Sequence, residues 1–304
     1  LIDPQPDFLP IPGEAVTLAP GLRRILAPNP SPMTYRGTNT YLLGEREIAV
    51  IDPGPDSAPH LEAILAAVAP DARISHILVT HAHLDHSPLA RPLSERTGAP
   101  VYGFGPATAG RSDVMIRLAA DGLTGGGEGV DSAFEPDETL NDGAELTGKG
   151  WTLTALHTPG HMANHLAFAW GDALFTGDLV MGWASSLVSP PDGDLTDFMR
   201  SLRSLQKRPW ATFHPGHGAP VSDPQQRLEE LITHRLSREA AILAALQDGP
   251  ATAADLAARI YTDTPPALLP AAERNVFSHL IDLVTKNAAR AVEDLSISAR
   301  FSAV

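Results

Sequence analysis

Within seven residues, Thr80-His81-Ala82-His83-Leu84-Asp85-His86, four side chains able to ligate a metal follow directly on an apolar run, Ile74–Thr80. The run predicts a short buried strand. Side chains alternate along a strand, so His81 and His83 face the same way, while Asp85 and His86 fall in the turn beyond. An isolated histidine is usually a surface residue, but four polar ligands behind a buried strand call for a fold that delivers strand ends to one place. The chain has 12 histidines and no cysteine. Any metal would therefore be held by imidazoles and carboxylates, a donor set that suits zinc, iron or manganese.

Three later segments repeat the device. His161 lies in Thr158-Pro159-Gly160-His161, behind the extended run Thr152–Leu156; Asp178 lies in Phe175-Thr176-Gly177-Asp178, behind Ala173–Thr176. His217 lies in Pro215-Gly216-His217-Gly218, behind Ala211–Phe213. A glycine beside each ligand lets the backbone turn sharply and aim the side chain. Strand ends at one edge of a layered fold converge, which makes that edge the expected site.

Elsewhere the pattern alternates between strand and helix. Ala15–Leu18, Tyr41–Leu43, Ile48–Ile51, Val101–Tyr102 and His165–Trp170 read as strands, and Ala58–Ala69, Arg91–Thr97, Leu195–Lys207 and Pro224–Gln247 as helices. Two rounds of this alternation indicate an α/β layered domain. The pattern weakens across Gly103–Gly150, where glycine-rich Gly122–Gly129 reads as a flexible surface loop. Asp248-Gly249-Pro250 breaks the chain and divides it into expected domains 1–248 and 249–304. Beyond the break, Thr252 can cap a helix to Tyr261, Pro266–Lys286 is helical, and Ala291–Val292 with Ile297–Phe301 forms a hairpin, an order resembling a winged helix.

The formal net charge is -14, from 22 basic and 36 acidic residues. A protein that grips phosphate backbones usually carries a basic surface, so the balance argues against nucleic acid as a partner. The tail from Ala251 repeats it, with Arg259, Arg274, Lys286, Arg290 and Arg300 against Asp255, Asp263, Glu273, Asp282, Glu293 and Asp294. A DNA-docking winged helix is basic along its recognition helix, so this tail is expected to pack on the catalytic domain or on a second subunit of a homodimer. No apolar run reaches the length of a membrane span. A cytoplasmic chain without membrane association, acting on a small molecule, is the expectation; the first residue, Leu1, is consistent with a trimmed start.

The motifs His-X-His-X-Asp-His, Pro-Gly-His, Gly-Asp and Pro-Gly-His-Gly, with Asp52 in Ile51-Asp52-Pro53-Gly54, occur in the order found in the metallo-β-lactamase superfamily, which this sequence resembles from about Thr38 to His217. The resemblance implies an αββα metallo-β-lactamase sandwich, here with a small C-terminal winged-helix-like domain. It also implies a dinuclear site, with zinc the expected metal: His81, His83 and His161 on the first ion, Asp85, His86 and His217 on the second, and Asp178 bridging. Asp85 and Asp178 are the implied catalytic residues, and Asp52 would orient a ligand loop from behind. Two ions at 3.5–4 Å activate a shared water, so direct attack without a covalent enzyme intermediate is the implied route.

A B1-type β-lactamase would place a cysteine where Asp178 stands. The 38 residues between Asp178 and His217 leave no room for the inserted domain of β-CASP enzymes. The flanks, Ser31-Pro32-Met33-Thr34, Gly37-Thr38-Asn39-Thr40-Tyr41-Leu42, His234-Arg235, Asn275-Val276-Phe277 and His279-Leu280, resemble the lactamase beta-2-like branch. That branch implies metal-dependent hydrolysis, of acyl thioesters in some members and of RNA in others. An ester, thioester or lactone is the leading substrate class and single-stranded RNA the rival.

Remaining candidates divide as follows. His165 is either a second-layer group or a strand-start residue; His157 and His214 are read as structural, and His60, His76 and His279 as surface or core. His234 and Arg235 either reach towards the site to bind an anion or form a solvated helix face. Tyr35 is placed near the cleft, Asn39 is read as a structural hydrogen-bonder, and Met181, Trp183 and Phe198 as an apolar wall or core. Substrate choice is expected from Gly103–Gly150 and the tail.

Overall fold

The structure, a computed structural model, describes residues 3–126 and 129–304. Its first sheet runs in chain order through β1 (Ala15–Ala19), β2 (Leu22–Leu26), β3 (Asn39–Leu43), β4 (Glu47–Ile51), β5 (Arg73–Leu78), β6 (Val101–Gly103) and β7 (Glu138–Thr139). Its pairs are antiparallel as far as β4 and parallel from there on. The second sheet comprises β8 (Glu145–Gly148), β9 (Trp151–His157), β10 (Leu166–Trp170), β11 (Ala173–Gly177) and β12 (Thr212–Pro215), in the order β12-β11-β10-β9-β8.

Period-two alternation sorts the strand residues between two cores. Tyr41, Leu43, Ala49 and Ile51 face Leu153, Ala155, Leu166, Phe168 and Phe175 of the other sheet. Leu42, Ile48 and Val50 face outward, under α1 (Ala58–Ala66) and α2 (Ala90–Thr97), whose Leu61, Ile64 and Leu93 cover them. On the opposite side, Ala167, Ala169 and Phe213 lie under α4 (Leu195–Leu205) and α5 (Pro224–Leu246). The layers are therefore helix, sheet, sheet, helix.

Several elements were hidden in the sequence, among them β7, β8, β2 and one helix. Strand β2 carries Arg23 and Arg24 inside its apolar alternation; Arg24 is buried and holds its guanidinium 4.8 Å from the Phe8 ring centroid. Helix α3 (Asp113–Ala120) lies in the stretch where periodicity weakens, and it turns Met115 and Leu118 into the C-terminal core. Part of the glycine-rich stretch Gly122–Gly129 falls outside the described residues.

The C-terminal unit holds α6 (Ala253–Ile260), α7 (Leu269–Thr285) and a sheet of β13 (Ala251–Thr252), β15 (Arg300–Ala303) and β14 (Ala289–Ala291), in the order β13-β15-β14. Thr252 and Asp255 form a reciprocal capping box at the start of α6. The hairpin pairs Ala289–Ala291 with Arg300–Ala303, the first strand starting before the expected Ala291–Val292 and the second running on past the expected Ile297–Phe301. Its core includes Ile242 and Leu246, the last turns of α5, so apolar packing crosses the Asp248 break. Hydrogen bonds tie α7 to the sandwich: Thr196 Oγ1 donates to Asp282 Oδ1 at 2.7 Å, and Arg274 Nη1 to the carbonyls of Thr124 and Pro190 at 2.7 and 3.1 Å. No helix among the described residues is long and apolar enough to cross a membrane.

Candidate metal centre

All seven sequence-predicted ligands meet at one edge of the paired sheets, and all are buried. They fall into two groups, His81, His83 and His161, and Asp85, His86, Asp178 and His217; within each, the ligand atoms lie within 4.8 Å of one another. In the first group, His81 Nε2 and His161 Nε2 stand 2.9 and 3.0 Å from His83 Nδ1. In the second, Asp85 Oδ2 stands 3.1 Å from His217 Nε2 and 3.2 Å from His86 Nε2. Asp178 faces both groups, 3.2 Å from His217 Nε2 through Oδ2 and 3.7 Å from His161 Nε2 through the same oxygen.

Three of the five imidazoles are aimed by a carboxylate or carbonyl at their other nitrogen. His86 Nδ1 donates to Asp52 Oδ2 at 2.9 Å, His161 Nδ1 to the Leu187 carbonyl at 2.7 Å, and His217 Nδ1 to the Gly37 carbonyl at 3.2 Å. Such bonds fix the tautomer and leave Nε2 as the ligand atom. Asp52 also accepts from Thr80 N and Thr80 Oγ1, both at 2.8 Å, which pins the strand end that carries His81. It does so from a left-handed backbone, φ 51°, a conformation aspartate tolerates better than most residues. The turn is held by Thr40 Oγ1, which donates to the Asp52 carbonyl at 2.6 Å and meets His60 Nε2 at 2.8 Å. Gly216 is bare for a reason: a Cβ there would stand 2.3 Å from Asp178 Oδ1.

Burial pushes His81 and His161 below the usual histidine range and His83 to about 3, so these rings are neutral lone-pair donors. In the second group burial acts the same way on His217, but Asp178 and Asp85 overcome it and hold His217 at about 10. Burial alone would raise both carboxylates; His86 and His217 instead keep Asp85 and Asp178 well below the carboxylate range. His86 Nε2 and Asp178 Oδ1 are buried without a hydrogen bond. Three neutral imidazoles converging on one point, beside two ionised carboxylates and unbonded buried acceptors, fit a pair of divalent cations.

The other candidates separate clearly. Asn39 Nδ2 donates to the Pro215 and Gly218 carbonyls at 3.0 and 2.9 Å, a brace for the His217 turn. His165 is fully buried, its Nδ1 2.9 Å from Thr158 Oγ1 and its ring 5.2 Å from that of His81. His60, His214 and His279 are buried, His76 stacks on Tyr102, and His157 stacks on Phe104. Tyr35 stacks on Trp183 at 5.0 Å, and Phe198 is core beneath Gly160. Arg235 is a correction: it is 2 % exposed, so it is neither a solvated helix face nor an anion-binding group that reaches the site. Thr38 was not singled out as a site residue, yet its Oγ1 donates to Asp85 Oδ2 at 3.2 Å.

A cavity of about 280 Å³ opens on His83, Asp85, His161, Asp178 and His217. Its walls come from the β11–α4 loop, including Met181, Trp183 and Leu187, and from the C-terminal unit, including Leu268, Ala272 and Asn275. Of the described residues in Gly103–Gly150, only Gly126 borders it. No lysine or arginine lines it among the described residues.

Layered fold, converging ligands and appended three-stranded unit define one class, and the chain belongs to the metallo-beta-lactamase superfamily, whose description matches residues 33–217. Residues 252–297 match the beta-lactamase associated winged helix domain. Among its relatives is a beta-lactamase-like protein 2 homolog of Drosophila melanogaster, 35% identical over 88% of this chain and 90% of the relative. Another is an atrochrysone carboxyl ACP thioesterase of Aspergillus fumigatus, 31% identical over 90% of this chain and 83% of the relative. A solved metallo-beta-lactamase family protein from Thermus thermophilus superimposes with a TM-score of 0.76 and 28% identity, covering 95% of this chain and all of that one.

Proposed function

We propose that this chain is a metal-dependent hydrolase of a small-molecule ester or thioester, with two divalent ions, zinc expected, held by His81, His83 and His161 on one side and Asp85, His86 and His217 on the other, Asp178 between them. The observation that carries the substrate class is the cavity: it is walled by Met181, Trp183, Leu187, Leu268 and Ala272 and has no lysine or arginine among its described lining. A ribonucleotide strand needs cations along its phosphates, whereas an acyl chain needs an apolar wall beside the water-activating edge. The thioesterase named among the relatives supports the same reading.

The ions would supply Lewis acidity and lower the pKa of a water. The remaining work falls to the protein. Thr38 and His217 hold Asp85 Oδ2, while Asp85 Oδ1 makes no hydrogen bond or ion pair with the described residues and is free to accept a hydrogen bond from water beside the cavity and orient it. Asp52 and the Leu187 and Gly37 carbonyls keep the imidazoles aimed through the reaction. The β11–α4 loop and α7 would wall the acyl side with apolar side chains.

The test is a panel of acyl thioesters, aryl esters, lactones and short RNAs, run with and without chelator. Chelator-sensitive turnover of thioester or ester is expected, restored by added zinc. Cleavage of RNA alone, or ester turnover indifferent to chelation, would overturn the proposal.

A further inference from the structure

Two of the flanking motifs, His234-Arg235 and Asn275-Val276-Phe277, meet behind the cavity wall. Arg235 lies on the buried stripe of α5, with Leu228, Leu231 and Ile242. Its Nη1 donates to Asn275 Oδ1 at 3.0 Å, Nη2 donates to the Ser186 carbonyl, and the guanidinium lies 5.1 Å from the Phe198 ring centroid. Asn275 Oδ1 also accepts from Val188 N at 3.2 Å. Only an oxygen can accept from two such donors, so the orientation of the amide is fixed. Asn275 Nδ2 then makes no hydrogen bond to the described residues, and Asn275 lines the cavity shared with His161, Asp178 and His217.

A second feature points the same way. Arg235 has no carboxylate partner among the described residues, an unusual condition for a buried guanidinium. Its charge is held one side chain behind the cavity surface and polarises the amide in front of it. Burial lowers Arg235 to about 10, which still leaves it charged at neutral pH. Asp192, which also borders the cavity, is paired with Arg111 and brings no uncompensated negative charge.

We infer that Asn275 is a substrate-binding residue contributed by the C-terminal unit: Nδ2 donates to an oxygen at the far end of the acyl group, and Arg235, as its positioning residue, makes an anionic carboxylate the preferred oxygen. This rests on reading the cavity as the substrate pocket of the hydrolase. It gives the winged-helix unit a part in catalytic specificity without any nucleic acid.

Glutaryl and pentanoyl thioesters of N-acetylcysteamine test it, being equal in carbon count and differing by a terminal carboxylate against a methyl. A charge-assisted hydrogen bond is worth at least about tenfold, so the glutaryl-to-pentanoyl ratio of kcat/KM is expected to be about ten or more, carried by KM. Asn275→Asp keeps the acceptors for Arg235 and Val188, removes the donor and adds a negative charge that neutralises Arg235 and repels a substrate carboxylate; the ratio should fall below one. Arg235→Gln keeps a donor to Asn275 and removes the charge, and should lower the ratio through KM as well. Competitive binding of glutarate against pentanoate, followed by Trp183-sensitive fluorescence, measures the same preference without turnover. It therefore distinguishes failure of this inference from failure of the hydrolase reading. A wild-type preference near one, or a preference that survives Asn275→Asp in a protein with unchanged metal content and unfolding temperature, would overturn the assignment.

Discussion

The floor and the wall of the cavity are built on different terms. The floor is made of strand ends: His81 behind β5, His161 behind β9, Asp178 behind β11 and His217 behind β12, each on backbone that the two sheets hold rigid. The wall is a loop without regular structure from Met181 to Asp192, facing a helical unit from another part of the chain. What keeps it in place is arginine: Arg227 donates to the carbonyls of Met181 and Ala184 at 2.7 and 2.8 Å, Arg235 to that of Ser186, Arg274 to that of Pro190, and Arg111 pairs with Asp192. The floor supplies reactive groups at fixed positions, and the wall can change its lining without moving them. On the proposed function, chemistry and substrate choice fall to different elements.

The largest expected effect lies in the floor. Asp178 is the carboxylate that faces both ligand groups, so Asp178→Ala should abolish activity, by a factor on the order of 10⁴ or more, and strip metal from both groups. Retention of two metals per chain, counted by native mass spectrometry, would break the assignment of Asp178 as the shared ligand. The wall variants described above should leave metal content alone and move KM, which is the contrast the two-part account requires.

A smaller effect sits beneath the floor. Burial lowers His60 to about 4, against an ordinary value of 6.5. Its contribution to stability is therefore present above about pH 6.5 and is lost as the pH falls through about 4, where the unfolded chain has already taken up the proton. The full loss is on the order of 3 kcal/mol. His60→Gln keeps a polar partner for Thr40 but cannot titrate, so urea unfolding at pH 7 and pH 4.5 should show a smaller difference than in the wild type. An equal acid loss in both proteins would show that His60 is not a source of it.

The floor was legible in the sequence because its residue types are sparse and its spacing is rigid. Packing alone rarely sets histidine and aspartate after an apolar run with glycine alongside, and Gly216 shows why the glycine is required. The wall was legible only in part: Met181 and Trp183, read as an apolar wall or core, do line the cavity, as does the tail, whereas Leu187 and Ala272 are ordinary apolar residues whose meaning depends on what stands opposite them. Gly103–Gly150, expected to shape the substrate, gives the cavity only Gly126 among its described residues; its helix α3 went instead to the C-terminal core. Arg235 did leave a signal: it falls at helical spacing on an apolar stripe, where a charge must have a buried purpose. What spacing could not reveal was its partner, Asn275, since that contact joins residues 40 apart across two helices.

On the proposed function, two metal ions at the strand-end floor run an acyl hydrolysis. The most direct measurement is a zinc titration of metal-free protein that follows bound metal and thioester turnover in the same samples. Two ions bound per chain are expected, with turnover absent at the start and complete when the second is bound. Full turnover before any metal is added, or saturation of both positions with no turnover of any ester or thioester, would contradict it.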